Sequence, residues 1–247
     1  MTKTKLKILC LHGFRQNSAI FKDRLGGFRR FTKNEAEFEF VTAPHKVENE
    51  EGSKEDVDER GWWFQRESND HFRGAEPGKT SRGFEESVQT VEEHVASHGP
   101  YDGLLGFSQG AALVGMLCAL QSQNNLRFKV NFAIMISGFK SKCIEHEKMY
   151  QTKVEIQSLH VFGEQDKFIS IEMSESLVAM FDNPVVMRHS GGHHVPSSGP
   201  QKNFYKDTYK HFLQSCLVLK DDIDVHEEKK MEKEQSKENS DISSEVE

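Results

Sequence analysis

An α/β fold built on a mostly parallel sheet is predicted by three observations. Short, nearly continuous apolar runs recur along the chain, helix-like stretches separate them, and Gly, Pro or polar turn residues bound each run. Strands that are apolar on both faces suit a sheet covered by helices on both sides. Strands that alternate with helices imply right-handed crossovers between parallel neighbours. A chain of 247 residues is long enough for one large domain of this kind with a sizeable core.

The strands are expected at LKILCL (6–11), FEFVT (38–42), YDGLLGF (101–107), VNFAIMIS (130–137), SLHVFG (158–163) and PVVMRH (184–189). Between them, helical patterns run over about 18–31, 83–98, 109–122, 170–181 and 201–218. The first is interrupted by Gly26-Gly27, which costs ~1–2 kcal/mol relative to Ala. The segment from His45 to Thr80 is too long for a simple connection, and loops of that size usually cover a site or lack order. It holds acidic residues around Glu48 to Glu59 and then Gly61-Trp62-Trp63-Phe64, whose adjacent aromatics need something to pack on.

Apolar content of 36% and a mean hydropathy of −0.66 are low for such a domain, but the deficit is concentrated in residues 46–80 and after Lys220. Residues 221–247 hold 11 acidic and 4 basic side chains, so their net of −7 equals that of the whole chain, and residues 1–220 balance at 28 against 28. A neutral body argues against a nucleic-acid binder, which carries a basic face or stripe. The expected organisation is therefore one folded unit over 1–220 and a disordered acidic tail over 221–247. Cys10, Cys118, Cys143 and Cys216 show no C-x-x-C spacing and read as reduced and structural. The apolar run Leu6 to Leu11 is too short for a signal segment, and no stretch reaches the length of a membrane span. A cytoplasmic location, with the nucleus as the alternative, is expected.

Gly106-Phe107-Ser108-Gln109-Gly110 has the form G-x-S-x-G. Its context carries the evidence: an apolar strand runs into it and the helix-like AALVGMLCAL runs out, the strand–turn–helix of a nucleophile elbow. Glycines on both sides let the backbone turn sharply and hold the Ser108 hydroxyl up at a helix N-terminus. Leu11-His12-Gly13-Phe14, at the end of the first strand, stands where such enzymes supply a second oxyanion donor. The backbone N–H groups of Phe14 and Gln109 are the expected pair.

An acid and then a base should follow downstream, each at the carboxyl end of a strand. Glu164-Gln165-Asp166 follows the strand at 158–163, and Ser190-Gly191-Gly192-His193-His194 follows the strand at 184–189. Asp166 is the expected acid and Glu164 its rival, while composition alone does not separate His189, His193 and His194. Neither further ligand spacing nor cysteine pairing accompanies this histidine cluster, so no metal and no cofactor are implied.

These residues resemble a known family, the small fungal and animal serine hydrolases that include the ovarian cancer-associated protein 2 esterases. The similarity runs in order through LHGFRQN (11–17), TAPH (42–45), GWWF (61–64), GFSQGAAL (106–113), ISGF (136–139), GEQD (163–166) and HSGGHHVP (189–196), covering nearly all of residues 5–215. The resemblance implies an α/β-hydrolase fold with little or no cap domain, no metal, and hydrolysis of carboxylic esters with lipophilic acyl chains. Carried over by position, it assigns the nucleophile to Ser108, the acid to Asp166 and the base to His193, and it sets an indole of Trp62 or Trp63 on the wall of the acyl pocket. Relatives commonly carry an acidic residue where this chain has Thr42, and the acidic tail lies outside the resemblance. The partner is then a small-molecule ester, cleaved through an acyl-enzyme. The same machinery suits a thioester, and an idle acyl-binding module is the alternative from another class.

Overall fold

The structure is a computed structural model, and it describes residues 4–48, 58–66, 72–74 and 76–220. In chain order the elements are β1 (Leu6–Leu11), α1 (Ser18–Arg24), α2 (Gly26–Phe31), β2 (Ala36–Val41), β3 (His45–Lys46), β4 (Arg60–Gly61), α3 (Phe84–His98), β5 (Gly103–Phe107), α4 (Gln109–Ser122), β6 (Phe132–Ile136), a 3-10 helix (Ile144–Tyr150), β7 (Gln157–Gly163), α5 (Ile171–Val178) and β8 (Val185–His189). A last helix, α6, covers 202–220. Six strands form one sheet in the order β2-β1-β5-β6-β7-β8, and every pairing in it is parallel. This is an α/β-hydrolase arrangement, with helices on both faces.

Alternation along the strands divides the core in two. Leu6, Ile8 and Cys10 of β1 face a cluster with Phe21 and Phe28 of α1 and α2 and with Tyr209 and Leu213 of α6. Leu9 and Leu11 face the opposite cluster, with Val91 of α3, most of α4, and Leu177 of α5. The order of the strands reverses between β1 and β5: one connection leaves β1 toward β2, and the next returns past β1 to β5. The carboxyl ends of that pair form the crevice in which open α/β sheets bind ligands.

The expected helix over 18–31 is broken in the structure. Leu25, with φ −81° and ψ 1°, ends α1 and begins α2. At Gly27 a Cβ would lie 2.2 Å from Ser197 Oγ, so a glycine here lets the 197 loop pack against α2. The small antiparallel pair β3–β4 and the 3-10 helix have no counterpart in the sequence reading. The expectation for 221–247, and most of the acidic stretch between Glu48 and Glu59, lie outside the described residues. At the amino ends of the strands, Asp102 accepts the Lys7 N–H at 2.7 Å and pairs with Lys220 at 2.9 Å, tying the end of α6 to β1.

All four cysteines are buried and free, and burial pushes their thiols upward, those of Cys118 and Cys216 to about 12. Burial acts in the opposite direction on histidine. It lowers His12, His146 and His189 to about 4 and His160 to about 3, with nearby charges as lesser influences on the first three. The unfolded chain takes up a proton at each of these near pH ~6.5. The folded chain binds fewer protons than the unfolded chain from there down to about pH 4, so their contribution is fully present above pH ~6.5 and is lost as the pH falls. Each withheld proton steepens the loss by ~1.4 kcal/mol per pH unit. The urea midpoint is therefore expected to drop steeply between pH 6.5 and 4.5, and His160→Gln to show a shallower drop by about one proton. A midpoint that stays level across this range contradicts the neutral, buried state of these histidines.

Candidate active site

Ser108 stands between the end of β5 and the start of α4, at φ 54° and ψ −116°. A non-glycine residue in this region stores strain that its surroundings must hold. Its neighbours show how the turn closes. A Cβ on Gly106 would sit 2.4 Å from the Gly110 carbonyl oxygen, and a Cβ on Gly110 would sit 2.2 Å from the Leu11 carbonyl oxygen. The Ser108 N–H donates to the Ile136 carbonyl at 2.9 Å, and the Ser108 carbonyl accepts from Ala112 at 3.0 Å, so the turn is fastened to β6 on one side and to α4 on the other.

Three side chains predicted from separate parts of the sequence come together here. His193 Nε2 lies 3.0 Å from Ser108 Oγ, and His193 Nδ1 lies 2.7 Å from Asp166 Oδ2. Asp166 Oδ1 also accepts the N–H groups of Phe168 at 2.9 Å and Ile169 at 3.0 Å. Burial raises the Asp166 carboxyl, but hydrogen bonds from His193 and from these two amides outweigh it and hold the group below its usual range. A carboxylate at Nδ1 fixes the proton there and turns the Nε2 lone pair toward the serine hydroxyl.

The loops that carry Asp166 and His193 are laced together. Glu164 N–H donates to the His189 carbonyl at 2.8 Å, and Gln165 N–H to the Gly191 carbonyl at 3.0 Å. Gly163 makes this approach possible, since a Cβ there would lie 2.3 Å from the Gly191 oxygen. Glu164 is exposed, whereas Asp166 is the carboxylate that bonds His193. His189 is buried beside Tyr205, and the exposed His194 packs its ring against that of His189. Of the three histidines, it is His193 that hydrogen-bonds Ser108.

Phe14 lies three residues past the end of β1 and Gln109 two past the end of the adjacent β5. The Gln109 N–H opens α4, where no helix carbonyl is available to accept it. The amides flanking Phe14 are engaged, Gly13 N–H with Gln16 Oε1 at 3.4 Å and Arg15 N–H with the Arg60 carbonyl at 3.0 Å. Beneath the loop, buried His12 bonds the Gly13 carbonyl through Nδ1 at 2.8 Å and accepts the Ala43 N–H through Nε2 at 3.0 Å.

The indoles belong to this support, which corrects their expected place on the pocket wall. Trp62 and Trp63 are fully buried and do not line the cavity above Ser108. Trp62 Nε1 donates to the His12 carbonyl at 2.8 Å, and its N–H donates to Gln109 Oε1 at 2.9 Å. Gln109 Nε2 then donates to the Trp63 carbonyl at 2.8 Å. Two large aromatics beside a buried amide make a brace: both indoles fill the space under the loop, and the Trp62 indole N–H also bonds the loop backbone.

The cavity measures about 1040 Å³ and is lined at its base by Ser108 and His193. Phe14, Phe72, Phe107, Phe168 and Ile169 form its apolar wall. Phe168 is 71% exposed, and its ring centroid is 5.3 Å from that of His193. These wall residues come from four separate loops and strand ends, and the one local signal for them is the apolar pair Phe168-Ile169, two residues after Asp166. A second open cleft, of about 1110 Å³, lies between the start of α3 and the 3-10 helix and includes none of the residues named at the site.

The chain is similar to known proteins along most of its length. Among curated proteins the chain is 42% identical to the esterase CG5412 of Drosophila melanogaster over 214 residues, which is 85% of this chain and 77% of that one. It is 41% identical to the esterase OVCA2 of Danio rerio over 226 residues, covering 86% of this chain and all of the relative. Human OVCA2 is 38% identical over 212 residues, 81% of this chain and 93% of the relative. Two solved structures share the fold at low identity: SOBER1 of Arabidopsis thaliana (19% identical, TM-score 0.56, 87% of this chain and all of that one) and acyl-protein thioesterase 2 of Zea mays (20%, 0.55, 87% and 95%). The model of the serine hydrolase family FSH1 matches residues 1–205. The chain belongs to that family and is a serine hydrolase of the esterase type.

Proposed function

We propose that the protein hydrolyses carboxylic esters of medium or long acyl chain through an acyl-enzyme on Ser108. The observation that carries this reading is the unbroken hydrogen-bonded row from Asp166 through His193 to Ser108, which ends at the base of a cavity with an aromatic wall. His193 takes the hydroxyl proton as Ser108 attacks the carbonyl, and Asp166 holds the imidazole in the required tautomer and balances its charge. The developing oxyanion is met by the N–H groups of Phe14 and Gln109, each worth ~3 kcal/mol in comparable sites. The alcohol leaves with the proton from His193, and a water activated by the same imidazole releases the acid. A thioester enters the same sequence with a thiol as leaving group.

Acyl preference follows from the wall. Each methylene that leaves water for an apolar surface gains up to ~0.8 kcal/mol, and that energy can be used to orient the scissile carbonyl. Phe168 is the most exposed part of this wall and the part that a long chain would cover. The catalytic unit spans residues 1–220, with Lys220 retained for its pair with Asp102.

Ser108→Ala is expected to abolish fluorophosphonate labelling and nearly all esterase turnover. Asp166→Asn should keep the fold and lose roughly 10⁴-fold in kcat, while His193→Ala is inactive and His194→Ala is not. Turnover by Ser108→Ala above a few per cent, or a near-normal Asp166→Asn, contradicts these roles. In a series of straight-chain esters, Phe168→Ala should flatten a preference for longer chains. Trp62→Phe, which removes one bond beneath the loop, should lower kcat and leave the chain-length profile as it was. A profile altered by Trp62→Phe and untouched by Phe168→Ala would return the acyl wall to the indoles. A chain ending at Lys220 is expected to match the full chain in kcat/KM and, within a few degrees, in Tm; a larger change in either contradicts the assignment of catalysis to 1–220.

A further inference from the structure

The mouth of the same cavity carries charge that ester hydrolysis as such does not use. Its described rim holds Arg15, Arg24, Arg73 and Lys167 against Glu59 and Glu76. Glu59 is paired with Arg15 at 2.5 Å, and Glu76 lies 3.5 Å from Arg73 and 3.7 Å from Arg66. Both carboxylates are thus engaged, and Arg24 and Lys167 have no carboxylate partner among the described residues. This excess does not reflect a basic protein, because residues 1–220 balance at 28 acidic and 28 basic side chains.

Both cations are set on firm supports. Lys167 stands between Asp166 and Phe168, on the turn whose next two amides are bonded to the Asp166 carboxylate. Arg24 is in the last turn of α1, directly before the fully buried Leu25. The two side chains are themselves exposed, so an anion that meets them keeps part of its hydration and escapes the large cost of burying a charge. The cavity is therefore amphiphilic, with an aromatic wall leading from Ser108 to a cationic mouth.

We propose that the substrate carries an anionic group, a carboxylate or phosphate, outboard of the scissile bond, received by Arg24 and Lys167 while the apolar part of the molecule lies along the aromatic wall. This rests on the esterase reading of Ser108 and narrows its substrate class. The anion can reside at the far end of the acyl chain or on the leaving group, and substrate pairs distinguish the two. Exposed ion pairs give modest factors each, up to ~5-fold, so two together should give at most ~25-fold.

The test compares monomethyl with dimethyl suberate, and octanoyl glycolate with ethyl octanoate, each kcat/KM divided by the rate of hydroxide-catalysed hydrolysis. At low ionic strength the anionic member of at least one pair should be preferred by fivefold or more. The preference should shrink toward one in 0.5 M NaCl, as screening shortens to a few ångströms, and in the Arg24→Gln/Lys167→Gln double variant. The pair that shows it identifies which side bears the anion. A ratio near or below one in both pairs, or a preference that survives in the double variant, overturns the proposal. A readout independent of turnover is protection of the wild-type protein from fluorophosphonate labelling. Octyl phosphate should protect at concentrations at least fivefold below those of octanol and lose that advantage in the double variant, whereas equal potency overturns the proposal. Ester hydrolysis that persists in Ser108→Ala would instead defeat the underlying reading of the site, a separate outcome.

Discussion

The close approach of the β5–α4 turn to the end of β1 is the constraint on which the site depends. The carbonyls of Leu11 and Gly110 come so near the neighbouring chain that no side chain fits at Gly110 or Gly106. That contact accompanies the positive φ of Ser108 and brings the loops after β1 and β5 to one crevice. Strain at one residue is sustained because β6 and α4 bond the Ser108 N–H and carbonyl while β1 packs closely against Gly110.

Around this point His12, Gln109 and Trp62 stay neutral and hydrogen-bonded beneath the site. His12, deprived of water, is an uncharged spacer between the Gly13 and Ala43 backbones, and its own carbonyl is bonded by Trp62. Gln109 uses both ends of its amide on the Trp62–Trp63 backbone. Hydrogen bonds at both ends of His12 and of the Gln109 amide make a rigid floor under the 12–16 loop. Asp166 is the charged exception, and two amides and an imidazole share its charge.

Much of the framework was legible in the sequence because its signals are local. Continuous apolar runs ended by glycines marked the strands, and 109–122 was read to the residue as a helix because an unbroken small-apolar run leaves few alternatives. Ser108 was visible through its strand and helix, and Asp166 through its place after a strand; the choice of His193 among three histidines came from family resemblance, and the geometry at His193 Nε2 agrees with it. What remained hidden depends on distant partners. Gly27, just past the break at Leu25, is packed against Ser197, 170 residues further along the chain. The indoles were placed on the wrong side of the loop because composition shows that an aromatic must pack, without showing on what. The cationic mouth left no trace either, since its members are single residues from separate loops in a charge-balanced body.

Burial of the four thiols has a consequence for how the protein ages in solution. Oxidation and disulfide exchange proceed through the thiolate and need access, and each sulfur here is both enclosed and held protonated. While the fold persists, air does not cross-link one molecule to another. Once a molecule opens, all four sulfurs become reactive together, and the resulting bridges prevent its return. Disulfide-linked oligomers in an old sample therefore act as a cumulative record of unfolding events, a chemical clock that runs only in molecules that have lost their core.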